Sequence, residues 1–372
     1  MDSDKAFLKK IGKKRTRILF FISVGIVLCG ILWIIWWSES GTNKTIAPKI
    51  YVLAQSSDRG KDAISAYAID VGKGRIDAIG FGSSFCGVAY ESTKRKTLFS
   101  CSVGLSYQPY SAIDELTGTI ERGLNLTPTS SLRNPVVCER SDSPRAGTCY
   151  YGFGAGEYVD GRTLVRARIV IAEGGGTIVK QVIEIPDASV GRLPAKMRIV
   201  GNELLVLTAG NPGVEDVVYR LNLLEYSFGR PIRLKMKAID MAVYEKNLFV
   251  SGYIEDPFAP KLRAFDIGTG EQIWDAGKIE DTAGITVSGQ MLYQASTKGI
   301  TAYDLLTMKR SGFVEVPDKR SAFWSIVSLG GKLYVSDPVG MVYEYDAQTL
   351  VPERSWEAPS VGSSPLFVVP SS

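Results

Sequence analysis

The chain of 372 residues contains no histidine. This absence excludes Ser-His-Asp and Cys-His nucleophile pairs, histidine general bases and histidine-ligated metals. Paired carboxylates, or a tyrosine or lysine base, would remain open to an enzyme. The sequence also has no Gly-x-Ser-x-Gly motif, P-loop or EF-hand loop, and the glycine run at 174–176 lies between two predicted strands. It therefore predicts a non-enzymatic protein with no catalytic residues and no cofactor.

Cysteine is scarce, with five in the chain and neither a Cys-x-x-Cys motif nor a vicinal pair, so no metal site is predicted. Cys29 lies in a hydrophobic run, where it is expected to pack as a small apolar residue. The other four are placed directly opposite each other on two predicted hairpins. We expect Cys86–Cys101 and Cys138–Cys149 disulfides and hence an oxidising compartment. The alternative is four unpaired buried thiols.

Positive charge is concentrated at one end of the chain. Residues 1–17 contain seven lysines and arginines against Asp2 and Asp4, a net charge of +5 that leaves −1 of the total of +4 for the rest. No basic body remains that could follow a phosphate backbone, so nucleic-acid binding is not predicted.

A single long run without charge spans 18–37. As a helix with a rise of about 1.5 Å per residue, it would cross the roughly 30 Å hydrocarbon core of a bilayer. The basic residues precede this run, and three tryptophans lie at its other end. This asymmetry predicts that the N-terminus is in the cytoplasm. A cleaved signal peptide is the alternative, but the run is long for one and no small-residue cleavage site follows.

The expected organisation places a single-pass anchor in the plasma (inner) membrane and the rest of the chain in the periplasm or outside the cell. The predicted parts are a basic cytoplasmic arm (1–17), a transmembrane helix in the lipid bilayer (18–37), a tether (38–48) and an extracytoplasmic domain (49–372).

After the tether, one pattern of short apolar strands and Asp/Gly turns recurs seven times. The copies occupy 49–80, 96–123, 148–185, 203–234, 247–277, 290–316 and 332–358. Each copy after the first is preceded by a further short strand, which makes four antiparallel strands per unit. The pattern predicts an all-β fold, a seven-bladed β-propeller with four-stranded antiparallel blades.

The first copy lacks the preceding strand, and the apolar run at 364–369 has no partner within the last copy. We expect this run to complete the first blade and close the ring, with 366–369 beside 50–53. Acidic residues that end a strand in five of the copies are expected to hydrogen-bond within turns rather than to catalyse; these are Asp70, Asp114, Asp266, Asp304 and Asp346.

The fifth copy contains Ala264-Phe-Asp266-Ile-Gly-Thr269-Gly270-Glu-Gln-Ile-Trp274, with weaker versions beginning at Ala66, Ala112 and Ala302. This segment resembles the repeat of quinoprotein-type β-propellers, in which the tryptophan docks between blades. That superfamily includes quinone-dependent dehydrogenases and non-catalytic relatives, such as the propeller lipoprotein of the outer-membrane barrel assembly machinery. The vicinal cysteines and the histidine of the catalytic members are missing here. The resemblance therefore implies a non-catalytic, membrane-associated assembly or scaffold protein.

The connections between second and third strands of the second to fifth copies should lie on one face of the domain. They combine aromatic and acidic side chains, which are typical of a protein-binding surface. The candidate partner-binding residues are Tyr107, Tyr110, Glu157, Tyr158, Asp160, Glu215, Asp216, Tyr253, Glu255, Asp256 and Phe258. Ordinary solvated loops are the alternative. Segment 318–324, which ends in Trp324, is a weaker second candidate that we assign to the opposite connections.

These features favour a membrane-anchored scaffold, or an accessory or assembly subunit of an envelope complex, whose partners are other membrane or envelope proteins. The alternatives are a quinone- or sugar-binding enzyme or electron-transfer subunit, and a cell-surface carbohydrate sensor.

Overall fold

The computed structural model describes residues 49–55, 64–73, 75–81, 85–91, 93–102, 110–115, 120–124, 135–159, 162–175, 178–186, 192–210, 214–317, 322–357 and 366–369. The predicted arm, transmembrane helix and tether lie outside these residues. Within these ranges, no helix is long and apolar enough to cross a membrane.

The described residues form β-strands joined by turns and loops and contain no helix. The first fifteen strands are β1 (Lys49–Gln55), β2 (Ile64–Asp70), β3 (Arg75–Phe81), β4 (Phe85–Glu91), β5 (Lys96–Ser102), β6 (Tyr110–Asp114), β7 (Ile120–Leu124), β8 (Val136–Cys138), β9 (Cys149–Val159), β10 (Arg162–Glu173), β11 (Ile178–Glu184), β12 (Leu193–Val200), β13 (Glu203–Ala209), β14 (Val217–Asn222) and β15 (Ile232–Arg233). The others are β16 (Lys237–Tyr244), β17 (Asn247–Ile254), β18 (Ala259–Asp266), β19 (Gln272–Asp275), β20 (Gly284–Ser288), β21 (Met291–Ala295), β22 (Gly299–Asp304), β23 (Lys309–Glu315), β24 (Ser325–Leu329), β25 (Lys332–Ser336), β26 (Met341–Asp346), β27 (Pro352–Glu357) and β28 (Leu366–Val369).

Among the described strands, seven four-stranded antiparallel sheets form. Six are meanders of four consecutive strands, and the first has the order β28-β1-β2-β3. The expected pairing of β28 with β1 is confirmed, since Lys49 lies opposite Val369 and Val52 opposite Leu366. Residues 366–369 pair with 49–52 rather than with the expected 50–53, a shift of one residue along β1.

The second strand of each sheet has a neighbour on both sides, and most of its described side chains are buried. In β13, the four residues from Leu204 to Leu207 are fully buried, and in β17 the same holds for 248–250. Such continuous apolar runs are typical of strands covered on both faces. The core therefore lies between sheets as a series of layers.

The first strands of successive sheets contact one another. The contacting pairs are β28–β4, β4–β8, β8–β12, β12–β16, β16–β20, β20–β24 and β24–β28. Hydrogen bonds also join neighbouring sheets, from Tyr51 to Glu115, Arg145 to the Gly201 carbonyl, Arg220 to the Gly268 carbonyl, the Ile285 amide to Asp240, Tyr293 to the Ala347 carbonyl and Arg354 to the Val71 carbonyl. Leu98, Val136 and Tyr151 form an apolar contact between the second and third sheets.

Two tryptophans fill spaces between sheets. Trp274 on β19 packs edge-on against Tyr303 of the sixth sheet, with ring centroids 5.6 Å apart. Trp356 on β27 joins a cluster that includes Ile50 and Ile69 of the first sheet. An indole is large enough to reach from an outer strand to the next sheet, which explains its use at these positions.

The aspartates that end the third strands have the expected role in turns. Asp266 accepts a hydrogen bond from the Thr269 amide, and Asp304 and Asp346 accept bonds from the corresponding threonine amides and hydroxyls. Asp70 accepts one from the Lys73 amide. The side chain of Asp114 lies outside the described ones. In the fourth sheet Asn222 occupies the same place and caps the amides of Leu224 and Glu225.

The Cys138–Cys149 disulfide is confirmed. These cysteines are directly opposite each other on β8 and β9. Cys86 and Cys101 occupy matching positions on β4 and β5 and are also directly opposite. Their side chains lie outside the described ones, so their bond stays a prediction.

Candidate functional site

Loops that contact one another lie at the ends of the sheets where second strands pass into third strands. The first strand of the following sheet begins nearby, because strand direction alternates in a meander. The Phe323 amide donates to the Ser296 carbonyl at 3.2 Å, and the Trp324 amide to the Ser336 carbonyl at 2.8 Å. Lys298 pairs with Glu280 at 2.9 Å. We define the loop edge as residues 209–210, 214–217, 254–259, 280–284, 295–299, 322–324 and 336–341.

Phe258 is the most exposed aromatic residue of the loop edge, with 62% of its surface accessible. It lies in the β17–β18 turn, where its ring is 5.3 Å from that of the half-buried Tyr253. Glu255 and Asp256, in the same turn, are exposed. The structure therefore brings four of the candidate residues together as an aromatic pair beside two carboxylates.

Trp324 also lies on the loop edge, with 49% of its surface accessible. The sequence predicted that 318–324 lies at the edge opposite the second-to-third connections. This is wrong for Trp324, because its amide donates to the carbonyl of Ser336 at the end of the second strand β25. Val339, in the β25–β26 turn, is 55% exposed, and Val214, before β14, is 38% exposed. Four large apolar side chains therefore face solvent from this edge.

Asp216 does not belong to this exposed set, since only 1% of its surface is accessible. Its carboxylate accepts hydrogen bonds from the amides of Gly210 at 2.9 Å and Ala238 at 2.7 Å. Lys237, itself buried, donates to the Val214 carbonyl at 2.6 Å. Burial raises the pKa of the Asp216 carboxyl, against the lowering effect of those amides. We expected Asp216 to contact a partner, but the structure gives it a structural role. Its buried carboxylate joins the Gly210 amide to the Ala238 amide at the start of β16.

Glu215 is exposed beside Asp216, and its backbone carbonyl accepts a hydrogen bond from Arg192 at 3.0 Å. The side chain of Glu215 thus remains at the surface while its backbone is held in place. Exposed acids on the loop edge are Glu215, Glu255, Asp256, Glu280 and Asp281. Among the described residues of this edge, Lys298 is the exposed base, and it pairs with Glu280.

In the third sheet, where a loop is predicted at 154–161, residues 154–159 instead continue strand β9. β9 continues to Val159 and β10 begins at Arg162, with Tyr158 opposite Thr163 and Glu157 opposite Leu164. Strand pairing overrides the glycines that suggested a loop, because a glycine-rich strand can still form its ladder. The backbones of Glu157 and Tyr158 belong to β9, and their side chains lie outside the described ones.

Asp160 and Tyr107 lie outside the described residues, and Tyr110 begins β6 without a described side chain. Sequence reasoning overlooked Val214 and Val339 and misplaced Trp324. The alternation of strand direction could have placed Trp324 correctly, because connections from a fourth strand to the next first strand share the edge of the second-to-third connections.

Within the described part of the chain, no group of three acidic or cysteine side chains is arranged to hold a metal ion.

No protein-family model matches this chain, and no curated protein matches it. Among solved structures, one match is the crystal structure of the computationally designed Ika8 protein. It is 11% identical in sequence, with a TM-score of 0.49, and the match covers 75% of this chain and 90% of that one.

Proposed function

We propose that the seven sheets are the blades of one closed seven-bladed β-propeller, and that this propeller is a non-enzymatic binding platform anchored in a membrane. The ring is supported by the contacts between first strands, which return from β24 through β28 to β4. It is supported also by β28, which adds a strand to the first sheet from the far end of the chain. Closure in this manner protects sheet edges that would otherwise pair with other chains.

The platform binds other membrane or envelope proteins through the loop edge. The observation that carries this proposal is the set of large apolar side chains exposed there, led by Phe258 and Trp324. Exposed apolar side chains among polar residues are typical of interaction surfaces where they form one patch, and we propose that those of the loop edge do so. Aromatic residues at such places contribute most of the binding energy, while the surrounding acids select against wrong partners.

The location of the platform is proposed from the sequence. The uncharged run at 18–37 and the basic residues before it favour an anchor that leaves the propeller outside the cytoplasm. The Cys138–Cys149 disulfide is in accord with an oxidising compartment. We extend the same pairing to Cys86 and Cys101, whose backbones have the matching register. The quinoprotein-type resemblance favours the role of an assembly or accessory subunit.

Affinity purification of the full chain from crosslinked native membranes tests this function. The test variant is Phe258→Ser with Trp324→Ser, and the matched control is Leu224→Ser with Leu306→Ser. The control residues are 65% and 68% exposed, but they lie in third-to-fourth turns at the other strand ends. We expect a specific envelope protein to co-purify with the wild type and the control, and at least about tenfold less of it with the test variant. Recovery of nothing specific, or equal recovery with both variants, would contradict the proposal.

A further inference from the structure

A cleft that shares Glu280 with the loop edge lies between the outer strands of the fifth and sixth sheets. It has a volume of about 280 Å³, and its walls come from β19 and the residues after it on one side and from β22 and β23 on the other. This is enough for one large side chain, since drug-sized pockets begin at about 300 Å³.

The lining is mainly polar and includes a smaller aromatic and apolar part. Trp274 and Tyr303 contact each other edge-to-face, and Ile279 and Met308 extend the apolar surface. Tyr303 is almost fully buried, and its hydroxyl donates to the Gln294 side chain at 3.2 Å. The ring is therefore held in place and presents a rigid surface. A flexible methionine beside rigid rings allows the cleft to accommodate apolar groups of differing shape.

The charges at the rim are unequally compensated. Asp275 is paired with Arg263 at 3.0 Å, and Glu280 with Lys298 at 2.9 Å. Two cations of the lining, Lys278 and Arg310, are exposed and have no carboxylate partner among the described residues. Arg310 instead stacks over the Phe313 ring, with its guanidinium carbon 4.9 Å from the ring centroid. Such stacking fixes the guanidinium while leaving its N–H donors available to a ligand.

We propose that this cleft binds an acidic peptide segment that carries a large apolar side chain between carboxylates. The apolar side chain would lie against Trp274 and Tyr303, and the flanking carboxylates would pair with Lys278 and Arg310. A guanidinium suits a carboxylate because it can donate two parallel hydrogen bonds. The cleft would give the platform a second contact with a protein, on its side rather than on its loop edge. Phe258 and Trp324 do not line the cleft, so a peptide site there does not require them.

The test uses isothermal titration calorimetry on the full chain in detergent. The probe is a blocked pentapeptide with phenylalanine between two pairs of aspartates. Comparison peptides replace the aspartates by lysines or the phenylalanine by alanine. The free acid 3-phenylpropionate forms a further arm, which separates a peptide site from a site for small organic acids.

Lys278→Glu with Arg310→Glu is the test variant, and Lys309→Glu is the matched control. Lys309 is exposed and precedes Arg310 on β23, so its side chain leaves the opposite face of the strand and does not line the cleft. We expect the acidic peptide to bind at least about tenfold more weakly to the double variant than to the control. Both comparison peptides should bind more weakly than the probe, and raised salt should weaken binding of the probe.

The inference is overturned if the acidic peptide does not bind the wild type, or binds the double variant as well as the control. It is also overturned if 3-phenylpropionate binds as tightly as the peptide, since the site would then recognise a small acid. Near-ultraviolet circular dichroism of both variants verifies that they are folded. The variant Phe258→Ser with Trp324→Ser should bind the peptide like wild type, whether or not the loop edge proves to be functional.

Discussion

The acidic residues of this protein have different roles depending on whether they are buried or exposed. Burial cannot be read directly from the sequence. Glu115 illustrates the buried case. Its carboxylate accepts bonds from Lys49 at 2.7 Å, Tyr51 at 2.6 Å and the Thr97 hydroxyl, and so joins the first and second sheets. Burial, together with the adjacent carboxylate, raises the pKa of the Tyr51 hydroxyl, which therefore stays a donor. The loop position of Asp216 predicts a partner-binding residue, but its side chain is buried and accepts backbone hydrogen bonds.

We predict that Glu115→Ala lowers the free energy of unfolding by about 3–5 kcal/mol, because it leaves the Tyr51 and Thr97 hydroxyls without their acceptor and Lys49 without its charge partner. Glu184→Ala is the control, since Glu184 pairs with Arg166 and Arg168 at the surface. An exposed pair should contribute less than about 1 kcal/mol. Urea denaturation monitored by circular dichroism measures the free energy of unfolding of both variants. Equal losses would show that Glu115 is not a structural link between sheets.

Turn aspartates give a second prediction at this scale. The pKa values of Asp266, Asp304 and Asp346 lie below the usual 3.8, because each carboxylate accepts a hydrogen bond from a threonine amide. The donors are the amides of Thr269, Thr307 and Thr349, respectively. A carboxyl with a lowered pKa stabilises the fold above its unfolded pKa, and this contribution is lost as the pH falls through the folded value.

Stability should therefore fall below about pH 4. A triple aspartate-to-asparagine variant at these positions keeps the acceptor oxygens but cannot ionise. We expect it to show a smaller loss of stability between about pH 4 and pH 2 than the wild type, measured by urea denaturation. An unchanged acid dependence would refute the role given to these turns.

At the scale of strands and sheets, the sequence was sufficient for much of the fold. Alternating apolar residues and recurrent Asp/Gly turns predicted four-stranded antiparallel units, because strand pairing is largely determined by local patterns and turn chemistry. The pairing of β28 with β1 followed from an apolar run that otherwise had no partner. The extent of the β9–β10 hairpin did not follow, because glycine-rich strands carry little pattern. Exposure of Val214 and Val339 depends on how whole sheets pack, which local sequence does not encode.

Deletion of Leu366–Val369 tests the most distant pairing. It removes the ladder that β28 forms with β1 and leaves the edge of β1 open. We expect a loss of at least about 3 kcal/mol of stability and a tendency to self-associate, because an exposed edge pairs with other chains. Removal of residues 371–372 serves as the control and should leave both properties unchanged. Thermal unfolding and light scattering report the two effects, and wild-type behaviour of the deletion would contradict the pairing.

For the whole molecule, we propose a closed ring of seven blades, a membrane anchor and two contact regions. In this proposal, contacts around the ring would hold the turns of the loop edge in fixed positions, so that apolar side chains on different blades could act as one surface. A pre-organised surface of this kind loses little conformational entropy when a partner binds. The cleft between the fifth and sixth sheets would add a second contact, and two linked contacts increase the overall affinity beyond either alone.

We propose that the loop edge contacts a membrane or envelope partner in the cell. Site-specific photo-crosslinking tests it most directly, with a benzophenone amino acid placed in turn at positions 258, 324, 224 and 306 of the full chain in intact cells. We predict that positions 258 and 324 crosslink to the same membrane or envelope protein, and that positions 224 and 306 do not. Absence of adducts at 258 and 324, or the same adducts from all four positions, would contradict partner binding at the loop edge.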